Sequence, residues 1–120
     1  LENMEPYFKG TKEEYVTIEG NIMVGENTII KKGCKIIGPV IIGKNCVIGP
    51  NTIIGKNTSI GDNSIISNCN LQDSIIMSVC KIMGNIKIKN SIISYNASIT
   101  SDPINVEKTF LLGEGTKLIL

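Results

Sequence analysis

The stretch that decides the fold is Ile36-Ile37-Gly38-Pro39-Val40-Ile41-Ile42-Gly43-Lys44-Asn45-Cys46-Val47-Ile48-Gly49-Pro50-Asn51-Thr52-Ile53-Ile54-Gly55-Lys56-Asn57-Thr58-Ser59-Ile60-Gly61. Within it Ile36, Ile42, Ile48, Ile54 and Ile60 recur every sixth residue. Stepping outward in both directions extends the column to Ile18, Val24, Ile30 and Ile66. Leu, Ile and Val make up 36 of 120 residues. Nine such positions in a row would arise by chance on the order of once in 10⁴ sequences, so the period is structural.

The remaining columns obey the same step. One place after each aliphatic stand Glu19, Gly25, Lys31, Ile37, Gly43, Gly49, Gly55 and Gly61. Three places after come Asn21, Asn27, Gly33, Pro39, Asn45, Asn51, Asn57 and Asn63. Asparagine and glycine accept positive φ, which a corner at a fixed place in every repeat demands. Pro39 cannot, because its ring locks φ negative, so its corner must be built differently. Four places after come Ile22, Thr28, Cys34, Val40, Cys46, Thr52, Thr58 and Ser64, mostly small residues suited to packing inside a corner.

A helix would place apolar residues every three to four positions, and a flat half-buried strand would alternate strictly over a longer run. Six residues instead make one short strand and one corner. Three strands close a triangular coil of 18 residues, and successive coils stack at the parallel-strand spacing of about 4.8 Å. The predicted fold class is all-β, a single-stranded parallel β-helix. After Ile66 the step changes: Leu71 and Ile76 follow at five, Ile82 and Ile88 at six, Ile93 at five and Ile99 at six. The corner column is then expected at Asn70, Ile75, Cys80, Ile86, Ile92 and Ala97. Residues 1–15 read as a linker or short helical turn leading in from a missing N-terminal domain, 16–99 as the β-helix, 100–109 as a loop, and Leu112–Leu118 as a closing coil or hairpin.

The residue before each central aliphatic should face outward, because strand side chains alternate. That column is Met23, Ile29, Lys35, Ile41, Val47, Ile53, Ser59 and Ile65. Sorted by 18, one side of the prism carries Ile29, Val47 and Ile65, an apolar ridge of the kind that marks a contact surface. The expected partner is another copy, in a three-fold ring.

Twelve lysines balance eleven acidic residues, giving a net charge of +1. Nothing in that even balance points to nucleic acid or an anionic membrane, both of which demand a concentrated basic surface. No apolar run reaches the ~20 residues of a membrane span. The acidic start Leu1-Glu2-Asn3-Met4-Glu5-Pro6 is unlike a signal peptide, and a cytoplasmic address is expected. Cys34, Cys46, Cys69 and Cys80 include no Cys-x-x-Cys pair and the chain has no histidine, which argues against zinc and for small buried thiols. No catalytic, cofactor-binding or metal-binding residue is expected. Asp62 and Asp73 could be proposed as substitutes for a histidine base, but Asp62 occupies an ordinary corner position and reads better as a solvated turn residue. Lys31, Lys32, Lys35, Lys44 and Lys56 are candidates for phosphate contacts, though exposed lysines are usually just solvated.

Residues Gly38–Thr52, Thr58–Asn63, Asp73–Met77 and the ending Leu111-Leu112-Gly113-Glu114-Gly115-Thr116-Lys117-Leu118 resemble the C-terminal β-helix of long-form glucose-1-phosphate thymidylyltransferases. The resemblance covers residues 16–120 and implies a left-handed winding, against the right-handed rule for parallel crossovers. It implies a parent enzyme that joins a sugar-1-phosphate to a nucleoside triphosphate, with Mg²⁺ held in a catalytic domain absent from this chain. This chain alone is then expected to be inactive, serving assembly or regulation, with a nucleotide sugar or sugar phosphate as ligand of the parent. The alternative is an acetyltransferase of the hexapeptide-repeat class acting on an amino sugar phosphate.

Overall fold

The structure, a computed structural model, describes residues 7–101 and the segments 106–108, 111–112 and 117–119. Among the described residues twenty short strands follow one another around a triangle. The first turns hold β1 (Tyr7–Phe8), β2 (Thr11–Lys12), β3 (Thr17–Glu19), β4 (Ile22–Val24), β5 (Ile29–Ile30) and β6 (Lys35–Ile37). Next come β7 (Val40–Ile42), β8 (Val47–Ile48), β9 (Ile53–Ile54), β10 (Thr58–Ile60), β11 (Ile65–Ser67) and β12 (Asn70–Gln72). The last turns hold β13 (Ile75–Ile76), β14 (Lys81–Met83), β15 (Ile86–Lys89), β16 (Ile92–Ile93), β17 (Ser98–Thr100), β18 (Val106–Lys108), β19 (Leu111–Leu112) and β20 (Lys117–Ile119).

Every third strand stacks on the last, all in parallel. The first face is β1-β4-β7-β10-β13-β16-β19, the second β2-β5-β8-β11-β14-β17-β20, and the third β3-β6-β9-β12-β15-β18. The stack therefore takes in two strands from the stretch read as a linker, β1 and β2. At the other end β18 falls inside the stretch read as a loop. There β19 and β20 pair in parallel with β16 and β17.

The sixfold column lies where its periodicity puts it. Val24, Ile30, Ile36, Ile42, Ile48, Ile54, Ile60 and Ile66 are buried on the axis, followed by Leu71, Ile76, Ile82, Ile88, Ile93 and Ile99. Ile18 is only half-buried, because its strand β3 stands at the end of the third face and among the described residues pairs with β6 alone. Corners turn at positive φ on Asn27, Gly33, Asn45, Asn51, Asn57 and Asn63. Two expected corners differ. Gly20 takes the positive φ in place of Asn21, and at the Pro39 corner the Gly38–Pro39 peptide is cis.

Past Ile66 the corner column needs correction. Ile75 and Ile92 are 47 % and 45 % exposed, and Asn70 is half-buried; the buried corner residues are Cys69, Ser74 and Ser91, with Cys80, Ile86 and Ala97 as expected. The shortened repeats lose their residue on the entering side of the corner. Positive φ falls at Asn68, Asp73 and Asn90, each just before the corner-packing residue, which in turn stands two before the next central aliphatic. The offset from the following aliphatic is conserved through the slip, and the offset from the preceding one is not. Val79, with φ of 62°, is a β-branched residue in the left-handed region, a conformation that costs about 1–2 kcal/mol.

Small hydroxyls inside the corners join one coil to the next. Thr28 Oγ1 donates to the Gly43 carbonyl at 2.6 Å and accepts the Cys46 N–H at 3.1 Å. Ser64 Oγ donates to the Met77 carbonyl and accepts the Cys80 N–H, both at 3.2 Å. Ser74 Oγ donates to the Gln72 carbonyl at 2.9 Å and accepts the Ser91 N–H at 3.2 Å. Each hydroxyl thus satisfies a backbone N–H that the corner turns away from the strand ladder. Thr28→Val keeps the shape and removes the acceptor, leaving the Cys46 N–H buried and unpaired. Its expected cost is about 1–3 kcal/mol, read from the urea midpoint.

Candidate functional site

The outward columns give the prism three unlike sides. On the second face Ile29, Val47 and Ile65 stand in direct register, so the predicted ridge exists as one column. Ile29 is 38 % exposed and the other two are half-buried. Thr11 bounds the ridge at one end and Lys81 at the other. The third face carries Thr17, Lys35, Ile53, Asn70 and Lys87 outward, a mixed and mainly polar column. The first face carries Tyr7, Met23, Ile41, Ser59, Ile75 and Ile92. Met23, expected on the exposed outside, is buried at 4 %, with Tyr7 and Ile41 as its register neighbours.

Sequence reasoning missed the first-face column because a spacing of 18 stops there at Ser59. The shortened corners bring the next outward residues to 75 and 92, and only a count that follows the slip would find them.

The chemistry-bearing residues are dispersed. Lys31 and Lys32 sit on the corner between the second and third faces, Lys44 between the first and second, Lys56 between the third and first, and Lys35 on the third face. They do not converge on one phosphate. Both aspartates are tied to the corner of the preceding coil. Asp62 Oδ1 accepts the Lys44 N–H at 2.8 Å, and Asp73 Oδ1 accepts from Asn57 Nδ2 at 3.2 Å. Among the described residues no three His, Cys, Asp or Glu side chains gather as a metal site.

The four cysteines are buried free thiols that pack inside corners. Cys46 and Cys80 alternate with Thr28 and Ser64 along one corner, while Cys34 and Cys69 flank Thr52 on the next. Burial raises every one of these thiols above its ordinary value, and it pushes Cys69 up to about 12 against a weaker opposing pull from backbone groups of Ser67 and Ile86. A thiolate nucleophile at neutral pH is therefore not available from them.

A three-sided stack of parallel coils, with isoleucine on its axis and asparagine at its corners, is a hexapeptide-repeat β-helix, and the solved structure it resembles fits the left-handed winding of that fold. The model of the GMPPB C-terminal domain matches residues 36–118, and the chain belongs to that family. It is similar to a glucose-1-phosphate thymidylyltransferase of Streptomyces antibioticus, 33 % identical over 98 % of this chain. The chain spans only 33 % of that enzyme's length. In three dimensions it resembles the Francisella novicida UDP-N-acetylglucosamine acyltransferase, with a TM-score of 0.53 and 18 % identity, covering 95 % of this chain and 60 % of that one. At that identity the likeness bears on the fold alone.

Proposed function

We propose that this chain is the C-terminal β-helix domain of a cytoplasmic sugar-1-phosphate nucleotidyltransferase of the glucose-1-phosphate thymidylyltransferase kind, and that it holds copies of the enzyme together in a three-fold ring. The observation that carries the assembly role is the Ile29–Val47–Ile65 column, an apolar ridge on a rigid wall. Nucleotide, sugar phosphate and Mg²⁺ belong on this reading to a separate catalytic domain, and no chemical step is assigned to residues of this chain.

Val47→Asp places a charge at the centre of the ridge, and the expected result is a fall in assembly mass by sedimentation with the circular dichroism spectrum unchanged. An unaltered mass would remove the ridge as the interface. A thermal-shift panel of nucleotide sugars and acetyl-CoA tests the enzymatic context: stabilisation by acetyl-CoA alone would replace this reading with acyl transfer.

A further inference from the structure

At the corner between the first and second faces the repeat keeps one rule for three coils and then breaks it. Gly25, Gly43 and Gly61 stand just after the central aliphatic, and Asn27, Asn45 and Asn63 take the positive φ two places on. A Cβ added to any of these glycines would come within 3 Å of backbone in the coil above, at 2.7, 2.9 and 2.6 Å. The next coil puts Met77 in the glycine place and Val79 in the asparagine place. Among the described residues Val79 is the one β-branched side chain in the left-handed region.

The rest of that coil is irregular too. Its other two corners are shortened, so Ser59 pairs with Ile75 and Ile65 with Lys81 at a step of 16, against 18 for Ile41 with Ser59 and Val47 with Ile65. The coil above is less cross-linked. Ile86 and Ala97 fill two of its corners, where earlier corners hold Thr28, Ser64 and Ser74, whose hydroxyls take an N–H of the next coil.

A strained residue persists only where its surroundings over-determine it. Each coil of a solenoid touches only its neighbours, so stability is a sum of local terms and a weak junction can part without the rest. We infer that the Val79 corner is a seam: the coils beyond it open as one unit under native conditions, while the coils before it stay closed. The seam gives the molecule a partly open form in which the upper edges of β11, β12 and β13 are free to pair.

The native thiols mark the two sides. Cys80 Sγ lies 3.1 Å from the Ser94 carbonyl, and Cys69 Sγ lies 3.5 and 3.4 Å from the Ile82 and Gly84 carbonyls, all beyond Val79. Cys46 Sγ lies 3.2 Å from the Gly61 carbonyl and Cys34 Sγ 3.6 Å from that of Ile48, both before it. Opening at the seam uncovers the first pair and leaves the second covered.

The test is modification of these thiols by iodoacetamide in the intact folded protein, followed site by site by mass spectrometry. Cys69 and Cys80 are expected to react in step, and faster than Cys34 and Cys46. Val79→Asn removes the strain and is expected to slow Cys69 and Cys80 on the order of tenfold, the left-handed penalty read as an equilibrium constant. Asn45→Val plants the same strain in an earlier coil and is expected to hasten Cys34 and Cys46 alone. Equal rates at all four sites, or an Asn45→Val variant that hastens all four alike, would mean that the β-helix opens as a whole, and the seam is overturned. Unchanged rates at Cys69 and Cys80 in Val79→Asn overturn it as well. Should Asn45→Val fail to fold by circular dichroism, the wild type and Val79→Asn decide alone.

Discussion

Ile48→Ala is expected to lower the unfolding free energy by about 2–5 kcal/mol, the range for truncating a large core aliphatic. Ile48 is 0 % exposed and stands directly between Ile30 and Ile66 on the axis. The cavity cannot close by collapse, because hydrogen-bonded ladders on three sides hold the coils at fixed spacing. Ile53→Ala, five residues along the same turn, removes a side chain that is 39 % exposed and is expected to change stability by no more than about 0.5 kcal/mol. Urea denaturation of the two variants checks both values. Equal losses would mean that the sixfold column does not define the interior.

The second large effect is a loss of stability at alkaline pH that depends on Cys69. Its thiol, moved by burial from an ordinary 9.0 to about 12 in the folded chain, keeps its proton longer than it would unfolded. Between these two values the folded state therefore binds more protons than the unfolded one, and stability falls as pH rises. The contribution is complete below about pH 9 and is lost progressively up to about 12. At roughly 1.4 kcal/mol per pH unit, Cys69 accounts for about 2 kcal/mol by pH 10.5. Lysines and tyrosines titrate in the same range, so the measurement is the difference between wild type and Cys69→Ala. Denaturation of each at pH 8 and pH 10.5 should show the steeper decline in wild type, and parallel declines would contradict it.

The axis and most of the corners were legible in the sequence, because both repeat a residue type at a constant step. Ile18 through Ile66 need only counting, and Asn27, Asn45, Asn51, Asn57 and Asn63 announce the positive φ they adopt. The ridge was legible for the same reason, since Ile29, Val47 and Ile65 fall within the regular coils. What escaped is what the constant step hides. A corner can lose a residue before its turning point and keep the geometry after it, so counting forward from Ile66 misplaced Ile75 and Ile92 inside when both face out. The same slip concealed the first-face column beyond Ser59. The strands Tyr7–Phe8 and Thr11–Lys12 carry no repeat signature, and they are set by pairing with β4 and β5. The Thr28, Ser64 and Ser74 bonds were invisible for a further reason. The sequence shows small residues at corners, but only the stacked backbone shows which N–H lacks a partner.

Because each described strand is bonded only to its counterparts one turn above and one turn below, chain separation between partners stays between 16 and 20 residues. Such a molecule can lengthen by duplicating a single turn without rewriting the rest.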